Sequence, residues 1–228
     1  MMSDTHNLPS AALWDMDGTL LDSAEYHWHA WRDALAAEGH PVTHDYFIAT
    51  FGQRNDTILR GLFGEDFADA DVAHIGDAKE LLYRQLVAER GVALLPGVRM
   101  WLERLRDAGF QQAVASAAPR ANVDAIITAL DIGSFFGAIT SAEDVTRGKP
   151  DPQVFLLAAE RLGVAPERCV VLEDAPAGVE AAKRAGMRVI GVRSSHGVLP
   201  ADITVDTLES LPDDAFAQLL NVNRVKRI

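Results

Sequence analysis

The 228-residue chain is long enough for one large domain or two modest ones, and 48% of its residues are hydrophobic. It carries 21 Lys and Arg against 33 Asp and Glu, and this formal charge of −12 argues against nucleic acid or an anionic membrane as a general partner. Because no apolar run approaches ~18 residues and the first residues lack a basic-then-apolar pattern, we expect neither a membrane span nor a signal peptide.

The first predicted element is a short buried strand, residues 11–14, which runs directly into the hexapeptide DMDGTL at 15–20. An apolar run that ends in acids and a glycine is typical of a strand that brings carboxylates to a sheet edge, where open α/β proteins bind ligands. Asp15 and Asp17 are two residues apart, which suits metal-assisted group transfer; the alternative is an ordinary acidic turn. Gly18 allows a tight backbone path, and the Thr19 hydroxyl could fix the acids or the loop.

Residues 24 to about 92 show helical periodicity and no convincing strand. Ser23 is a candidate cap for a helix that runs to near Gly39. Further helices are predicted near residues 43–50, 55–63 and 69–90. We therefore expect an all-helical insertion, residues 24–92, beside a site at the strand ends, where it could act as a lid.

Strands and helices alternate after Pro96-Gly97. This alternation predicts an α/β protein with a doubly wound, Rossmann-like parallel sheet, whose core domain comprises residues 1–23 and 93–228. The predicted strands are 112–116, 138–140, 169–173, 188–192 and 203–205, and the predicted helices are 98–108, 121–130, 152–162, 177–185 and 210–220.

Polar residues lie at the ends of two of these strands and in one loop between them. Ser116 and the next backbone N–H, of Ala117, can hold phosphate oxygens near a helix N-terminus, although a serine there can also be a plain helix cap. Prolines fix the loop that contains Lys149 and would hold this lysine at the strand-end face. The alternative is that Lys149 is a solvated surface charge. Glu173 and Asp174 end a second apolar strand, where they form a second acidic pair or cap the following helix.

These motifs, in this order, resemble the haloacid-dehalogenase superfamily of phosphotransferases. The likeness rests on Asp15-Met16-Asp17-Gly18-Thr19, Ser116, Lys149 and Glu173-Asp174, and it covers nearly the whole chain. The helical insertion corresponds in position to a C1-type cap domain. The segment 22–27 and the return at Pro96-Gly97 are closest to the branch of β-phosphoglucomutases and small sugar-phosphate phosphatases.

The resemblance implies roles for the matched residues. Asp15 would be the nucleophile that forms an aspartyl-phosphate, and Asp17 the general acid and base. Ser116, with Ala117, and Lys149 would hold the phosphoryl oxygens, and Thr19 would orient the loop around Asp17.

The resemblance also implies a magnesium site. The ligands would be the Asp15 carboxylate, the Asp17 backbone carbonyl and the Asp174 carboxylate, with Glu173 acting directly or through water. The presence of Asp17 points to phosphate rather than to metal-free dehalogenation. Lys79, the only lysine of the insertion, lies too late in it to suit the imine chemistry of phosphonate hydrolases.

Substrate contacts are expected from the cap, at His27, Gly52, Gln53, Arg54 and Asn55. In β-phosphoglucomutases the cap loop reads roughly Lys-Gly-x-Ser-Arg, whereas here the lysine is replaced by a phenylalanine and the arginine is displaced. The insertion has six Lys and Arg against twelve Asp and Glu, so it poorly suits a bisphosphate. We expect a phosphatase acting on a sugar or polyol monophosphate.

Two alternatives stay open. The first is a β-phosphoglucomutase-type mutase, because His27 matches the family histidine that helps gate Asp17. The second is a binding protein that has kept the fold without catalysis, but such a protein would be expected to lose one of the motif acids or Lys149, and none is lost. A small-molecule phosphate ester is the expected partner, and the acidic surface allows a monomer.

The remaining features have ordinary explanations. The single cysteine, Cys169, begins a buried strand and excludes an internal disulfide, so we expect a cytoplasmic protein in a reducing compartment. Residues 1–10 are predicted to be a loose polar lead-in. The basic residues at 224–227 are too few to predict a nucleic-acid site.

Overall fold

The computed structural model describes residues 9–225. The predicted lead-in and the basic tail therefore lie largely outside the described residues. Six parallel strands form one sheet in the order β3-β2-β1-β4-β5-β6. The strands are β1 (Ala11–Trp14), β2 (Gln111–Ala115), β3 (Ala138–Thr140), β4 (Cys169–Glu173), β5 (Arg188–Val192) and β6 (Ile203–Val205).

Strand β1 lies in the middle of the sheet and is buried along its whole length. Trp14 is in register with Val114 on β2 and with Leu172 on β4. Because the three strands are parallel and in register, the residues that follow them emerge at the same edge. The sheet therefore brings Asp15, Ser116 and Glu173 to one place.

Helices cover both faces of the sheet, as expected of buried parallel strands. Side chains of β1 alternate between the faces: Ala12 and Trp14 belong to one hydrophobic cluster, Ala11 and Leu13 to the other. The helices that follow the insertion are α5 (Val98–Asp107), α6 (Arg120–Ala129), α7 (Gln153–Leu162), α8 (Pro176–Arg184) and α9 (Ala215–Val225).

Four helices occupy the predicted insertion between β1 and α5. They share a hydrophobic cluster of their own, with Trp31, Phe47 and Leu59 among its buried members. No described helix is both long and apolar enough to cross a membrane. The four are α1 (Ala24–Ala37), α2 (His44–Thr50), α3 (Asn55–Phe63) and α4 (Asp69–Arg90).

The chain enters and leaves the insertion at one point. Leu21 and Leu94 form an antiparallel bridge, and the Leu95 N–H donates to the Leu20 carbonyl at 2.9 Å. The two linkers are therefore bonded to each other beside the end of β1.

A helix was predicted at 210–220, and its predicted first residue is wrong, because α9 begins only at Ala215. Residues Leu208–Ser210 form a separate 3₁₀ turn, and the Leu208 carbonyl accepts a hydrogen bond from the Trp101 indole at 2.8 Å. Pro212 has no N–H to donate to an earlier helical turn. Contacts with α5 thus override the local helical pattern.

This contact generates a stability prediction. Gly97 has φ +85°, and a Cβ there would lie 2.4 Å from the Glu209 nitrogen; Gly109 has φ +77° and nothing within 4 Å. Gly109→Ala should cost about 1 kcal/mol from the left-handed backbone alone. Gly97→Ala should cost ~1–3 kcal/mol more, because main chain must also move. Urea unfolding of both variants measures the difference, and equal losses would contradict the close packing.

Candidate active site

Three carboxylates gather at the carboxyl ends of β1 and β4. Asp15, Glu173 and Asp174 are buried, and each offers an oxygen within 4.8 Å of the others. The Lys149 ammonium lies among them, bonded to Asp15 and, at 2.6 Å, to Glu173. Two strand ends and one loop thus supply a single compact group of charges.

Glu173 has a fixed orientation. Its Oε1 accepts from Lys149, while its Oε2 accepts from the N–H groups of Asp174 and Ala175, each at 2.8 Å. A Cβ at Gly178 would lie 1.7 Å from the Glu173 Oε1. Glu173 therefore binds the two main-chain N–H groups that precede α8 and also lies in the charged cluster, and only glycine at 178 leaves room for it.

Burial and mutual repulsion govern the protonation of this cluster. Burial, with Glu173, raises the pKa of Asp174 to about 8. Burial also raises the pKa of Asp15 well above its usual value, although Lys149 opposes that shift. Burial disfavours the charged lysine, yet Asp15 and Glu173 raise the pKa of Lys149 above its ordinary value.

The cluster fits a divalent cation. Three buried carboxylates against one ammonium leave excess negative charge, which is costly in a site withdrawn from water. Mg²⁺ prefers oxygen ligands of this kind. Asp15, Glu173 and Asp174 have the chemistry to hold such an ion, which would neutralise charge where an anionic substrate approaches.

Asp17 points into a different set of contacts. Its Oδ1 accepts from the Ser23 hydroxyl at 2.5 Å and lies 3.1 Å from His27 Nε2. Lys79 Nζ lies 2.9 Å from His27 Nδ1. Since an ammonium can only donate, Nδ1 accepts and Nε2 carries the proton that is donated to Asp17. Although burial opposes it, His27 and Ser23 hold the pKa of Asp17 below its usual range.

The prediction that the Ser23 side chain caps α1 is therefore wrong. Ser23 holds the N-cap position, but its side chain makes no capping bond and is directed to Asp17 instead. The residue at the start of α1 is therefore held by its hydrogen bond to Asp17 rather than by a capping bond to the helix.

A buried polar network continues behind Lys79. The Lys79 ammonium donates to Glu80 Oε1 at 2.8 Å, and that oxygen also accepts from Asn55 at 2.8 Å. The other Glu80 oxygen accepts from Asn122, which lies on α6 of the sheet domain. Burial would raise the pKa of Glu80, but Lys79 and its other donors hold it below the usual value. The network thus connects Asp17 across α4 to the core.

The gathered residues line a cavity of about 50 Å³ between the sheet edge and the insertion. Its wall on the insertion side includes three aromatic side chains, Trp31, Phe47 and Phe51. The sequence-predicted residues that the structure brings to this cavity are Asp15, Asp17, His27, Gly52, Gln53, Asn55, Ser116, Ala117, Lys149, Glu173 and Asp174.

Two predicted residues are placed elsewhere. The Thr19 hydroxyl is buried and has no hydrogen-bond partner among the described residues, so it makes no bond to Asp17. Arg54 does not line the cavity; its guanidinium bonds to Asp56 and to the carbonyls of Ala142 and Val145.

Sequence reasoning missed Lys79 and Glu80 as members of the site. Ile75, Lys79, Tyr83 and Val87 are all buried at a spacing of four residues on α4. A lysine inside an otherwise apolar helical stripe is a signal that could have identified it. Tyr83 stacks on His27 with ring centres 4.1 Å apart, so the same stripe also supports the histidine.

Comparisons with known proteins agree with this geometry. The haloacid dehalogenase-like hydrolase family model matches residues 9–186. Protein CbbY of Rhodobacter capsulatus is 35% identical over 195 residues, covering 82% of this chain and 86% of that protein. The phosphorylated carbohydrates phosphatase of Thermotoga maritima is 32% identical over 187 residues, covering 80% and 84%. The crystal structure of β-phosphoglucomutase from Clostridium difficile has a TM-score of 0.85 at 26% identity, covering 96% and 100%.

The chain belongs to the haloacid dehalogenase-like hydrolases. The predicted family, the α/β fold with its helical insertion and the enzyme class are thereby confirmed. The roles of individual residues stay predictions.

The raised pKa of Asp174 gives a pH prediction for the metal-free protein. Its folded value of about 8 exceeds the ~4 of an unfolded aspartate, so the unfolded state binds fewer protons between these values. The free energy of unfolding should therefore fall as pH rises, by about 1–3 kcal/mol from pH 5.5 to 8.

Urea unfolding in EDTA measures this slope. Asp174→Asn removes the titration, so we expect a shallower slope and a more stable protein at pH 8 than the wild type. Added Mg²⁺ should stabilise the wild type at pH 8 and the variant much less. An unchanged slope in the variant would refute the assignment.

Proposed function

We propose that the protein is a Mg²⁺-dependent phosphatase that hydrolyses a small phosphorylated metabolite, a sugar or polyol monophosphate, through an aspartyl-phosphate on Asp15. The observation that carries this proposal is the position of two differently held aspartates on one small cavity. Asp15 lies in the cationic and carboxylate cluster, whereas Asp17 lies outside it, bonded to Ser23 and His27. Their environments push their pKa values in opposite directions, which is typical of residues with separate roles.

In the first step, Asp15 attacks phosphorus and the bond to the leaving alcohol breaks. Two anions must approach each other, so charge neutralisation is the main requirement. Lys149 supplies one positive charge beside Asp15, and Ser116 with Ala117 lies on the same cavity to bind phosphoryl oxygens. A bound Mg²⁺, held by Asp15, Asp174 and Glu173 with the Asp17 backbone carbonyl, would supply the remaining positive charge.

In the second step, water attacks the aspartyl-phosphate and phosphate leaves. Asp17 gives a proton to the leaving alcohol in the first step and takes one from water in the second. The hydrogen bonds from Ser23 and His27 favour its ionised form, which is the form that the hydrolytic step needs. A mutase would need the same ionised carboxylate to deprotonate a sugar hydroxyl, so these bonds support the second step of either reaction, and the choice of hydrolysis rests on the cavity wall.

The cavity wall favours a substrate with one phosphate. The two cations that line it, Lys149 and Lys79, are already paired with carboxylates. The opposite wall includes Trp31, Phe47 and Phe51. The resemblance to β-phosphoglucomutases implies a lysine at the position of Phe51. A second phosphate would meet no unpaired cation among the described residues of this cavity, whereas hydroxyl groups could bond to Gln53 and Asn55.

The cavity of about 50 Å³ is far smaller than the ~300–1,000 Å³ of typical small-molecule sites. We infer that the insertion, residues 24–92, moves away from the core, residues 1–23 and 93–228, to admit a substrate and then closes. Closure would exclude bulk water from the reacting groups. The small size of the cavity is also the observation that favours the second candidate function, a β-phosphoglucomutase-type mutase, since a mutase must protect its phosphoenzyme from water.

The reducing cytoplasm is the compartment we propose for this reaction, with the protein acting as a monomer. The single cysteine, Cys169, is buried, and burial raises its thiol pKa to about 12, so it is unreactive and independent of the site.

Phosphate release from a panel of sugar and polyol phosphates tests the proposal. We expect steady release with Mg²⁺ that stops with EDTA. Asp15→Asn should abolish turnover, and Asp17→Asn should lower kcat about 10²- to 10⁴-fold. Asp22→Asn is the matched control and should leave the rate unchanged. Asp22 is an exposed acid of the same segment, and its one hydrogen bond among the described residues comes from the Ala24 N–H.

The same panel decides between the alternatives. β-Glucose 1-phosphate is included, with a bisphosphate primer. Glucose 6-phosphate formed with little free phosphate would overturn hydrolysis in favour of a mutase. No turnover of any phosphate ester would favour the non-catalytic binding protein.

A further inference from the structure

Arg54 lies where the insertion meets the core loop that carries Lys149. One guanidinium nitrogen donates to the carbonyl oxygens of Ala142, at 2.7 Å, and Val145, at 2.9 Å. Its other two nitrogens bond to the Asp56 carboxylate, each at 3.1 Å. Asp56 is in the first turn of α3, so the guanidinium joins a helix of the insertion to two main-chain groups of the core.

On the core side, these carbonyls belong to the segment that leads to Lys149. Val145 is buried in the hydrophobic cluster on one face of the sheet. The N–H groups of Thr146 and Arg147 donate to the Gln153 side chain at 3.0 and 3.2 Å. The segment is thus held from the core by Gln153 and from the insertion by Arg54.

Gly148 makes this contact possible. A Cβ there would lie 2.7 Å from Arg54 Cδ and 3.1 Å from Cγ. Its φ lies outside the left-handed region, so the backbone conformation does not demand glycine. The requirement is one of space: the aliphatic part of Arg54 packs against the main chain directly before Lys149.

We propose that Arg54 is a positioning residue that couples the seating of the insertion to the placement of Lys149; this rests on the proposed function of the same site. When the insertion lies on the core, Arg54 holds the loop and the ammonium lies between Asp15 and Glu173. When the insertion moves away, the two carbonyls lose their donor and the loop is released. Full phosphate binding therefore requires a closed insertion.

This role differs from that of a substrate contact. Four of the five guanidinium N–H groups are used by Asp56 and the two carbonyls. A residue that reads the sugar would matter only for substrates that carry one. A residue that places Lys149 matters equally for every compound that donates a phosphoryl group, whether an ester or an acyl phosphate.

Kinetics on two substrates separates the two roles. We compare the best sugar phosphate of the panel with acetyl phosphate, which carries no sugar. Arg54→Ala should lower kcat/KM about 10- to 100-fold on both, by the same factor. Gly148→Ala should act in the same direction, and adding it to Arg54→Ala should cause little further loss, because both remove one contact. A loss confined to the sugar phosphate would overturn the proposal.

Arg60→Ala is the matched control. Arg60 is a cation of α3, the helix that Arg54 directly precedes, but its ion pair is with Asp69, inside the insertion. Its replacement should leave both rates unchanged. Arg54→Lys keeps the charge but cannot bond to Asp56 and both carbonyls at once as the planar guanidinium does. Its rate should therefore lie between those of Arg54→Ala and the wild type.

Amide hydrogen exchange gives a second readout that needs no turnover. In Arg54→Ala and Gly148→Ala, amides of residues 142–149 should exchange about five- to tenfold faster than in the wild type, with no change in Arg60→Ala. If the chain hydrolyses nothing but exchange changes in this way, the coupling stands and the proposed function fails. Unchanged exchange in Arg54→Ala would refute the coupling itself.

Discussion

The burial of like charges at the end of the central strands is the constraint on which the site depends. Asp15, Glu173 and Asp174 are withdrawn from water, and Lys149 is the one cation paired with them among the described residues. Buried carboxylates in this state raise one another's pKa and weaken the fold. The arrangement is maintained because strands β1 and β4 are fixed in register within a fully buried sheet, so the acids that follow them cannot separate.

The close backbone around the acids follows from the same constraint. A Cβ at Gly18 would lie 2.1 Å from Asp174, and one at Gly178 would lie even closer to Glu173. Main chain at these two glycines therefore lies directly against both carboxylates. Main-chain walls keep the oxygens pointed at one another, which is the geometry a divalent cation requires.

Asp17 is held by Ser23, directly before the insertion, and by side chains of the insertion itself. His27 comes from α1 and Lys79 from α4, and the chain of bonds continues through Glu80 to Asn122 on the core. A network of this kind is stable only when all its members are satisfied, so any displacement of the insertion disturbs several bonds at once. Asp17, which we propose as the acid-base group, and the segment that leads to Lys149 are thus both held by contacts that cross the same boundary.

The sheet and the charged cluster could be predicted from the sequence because their signals are local. The alternation of apolar runs with amphipathic segments defines the fold class, and acids directly after the runs of β1 and β4 define the edge that they share. Ser23, Arg54 and the start of α9 could not be predicted in this way. In each case the local pattern indicates a helix cap, a substrate contact or a helix, and a partner distant in sequence decides otherwise: Asp17, the Ala142 carbonyl and Trp101 respectively.

The central position of β1 has a consequence for how the chain folds. Ala11 pairs with Gln111 on one side and with Cys169 on the other. The first strand of the chain therefore pairs with two strands that are far away in the sequence. Contacts of such long range slow folding because a long loop must close first. The helical insertion packs mainly within itself, and its linkers bond at Leu20 and Leu95. Early folding of the insertion would bring those ends together, shorten the loop between β1 and β2, and reduce the entropy lost when the sheet forms.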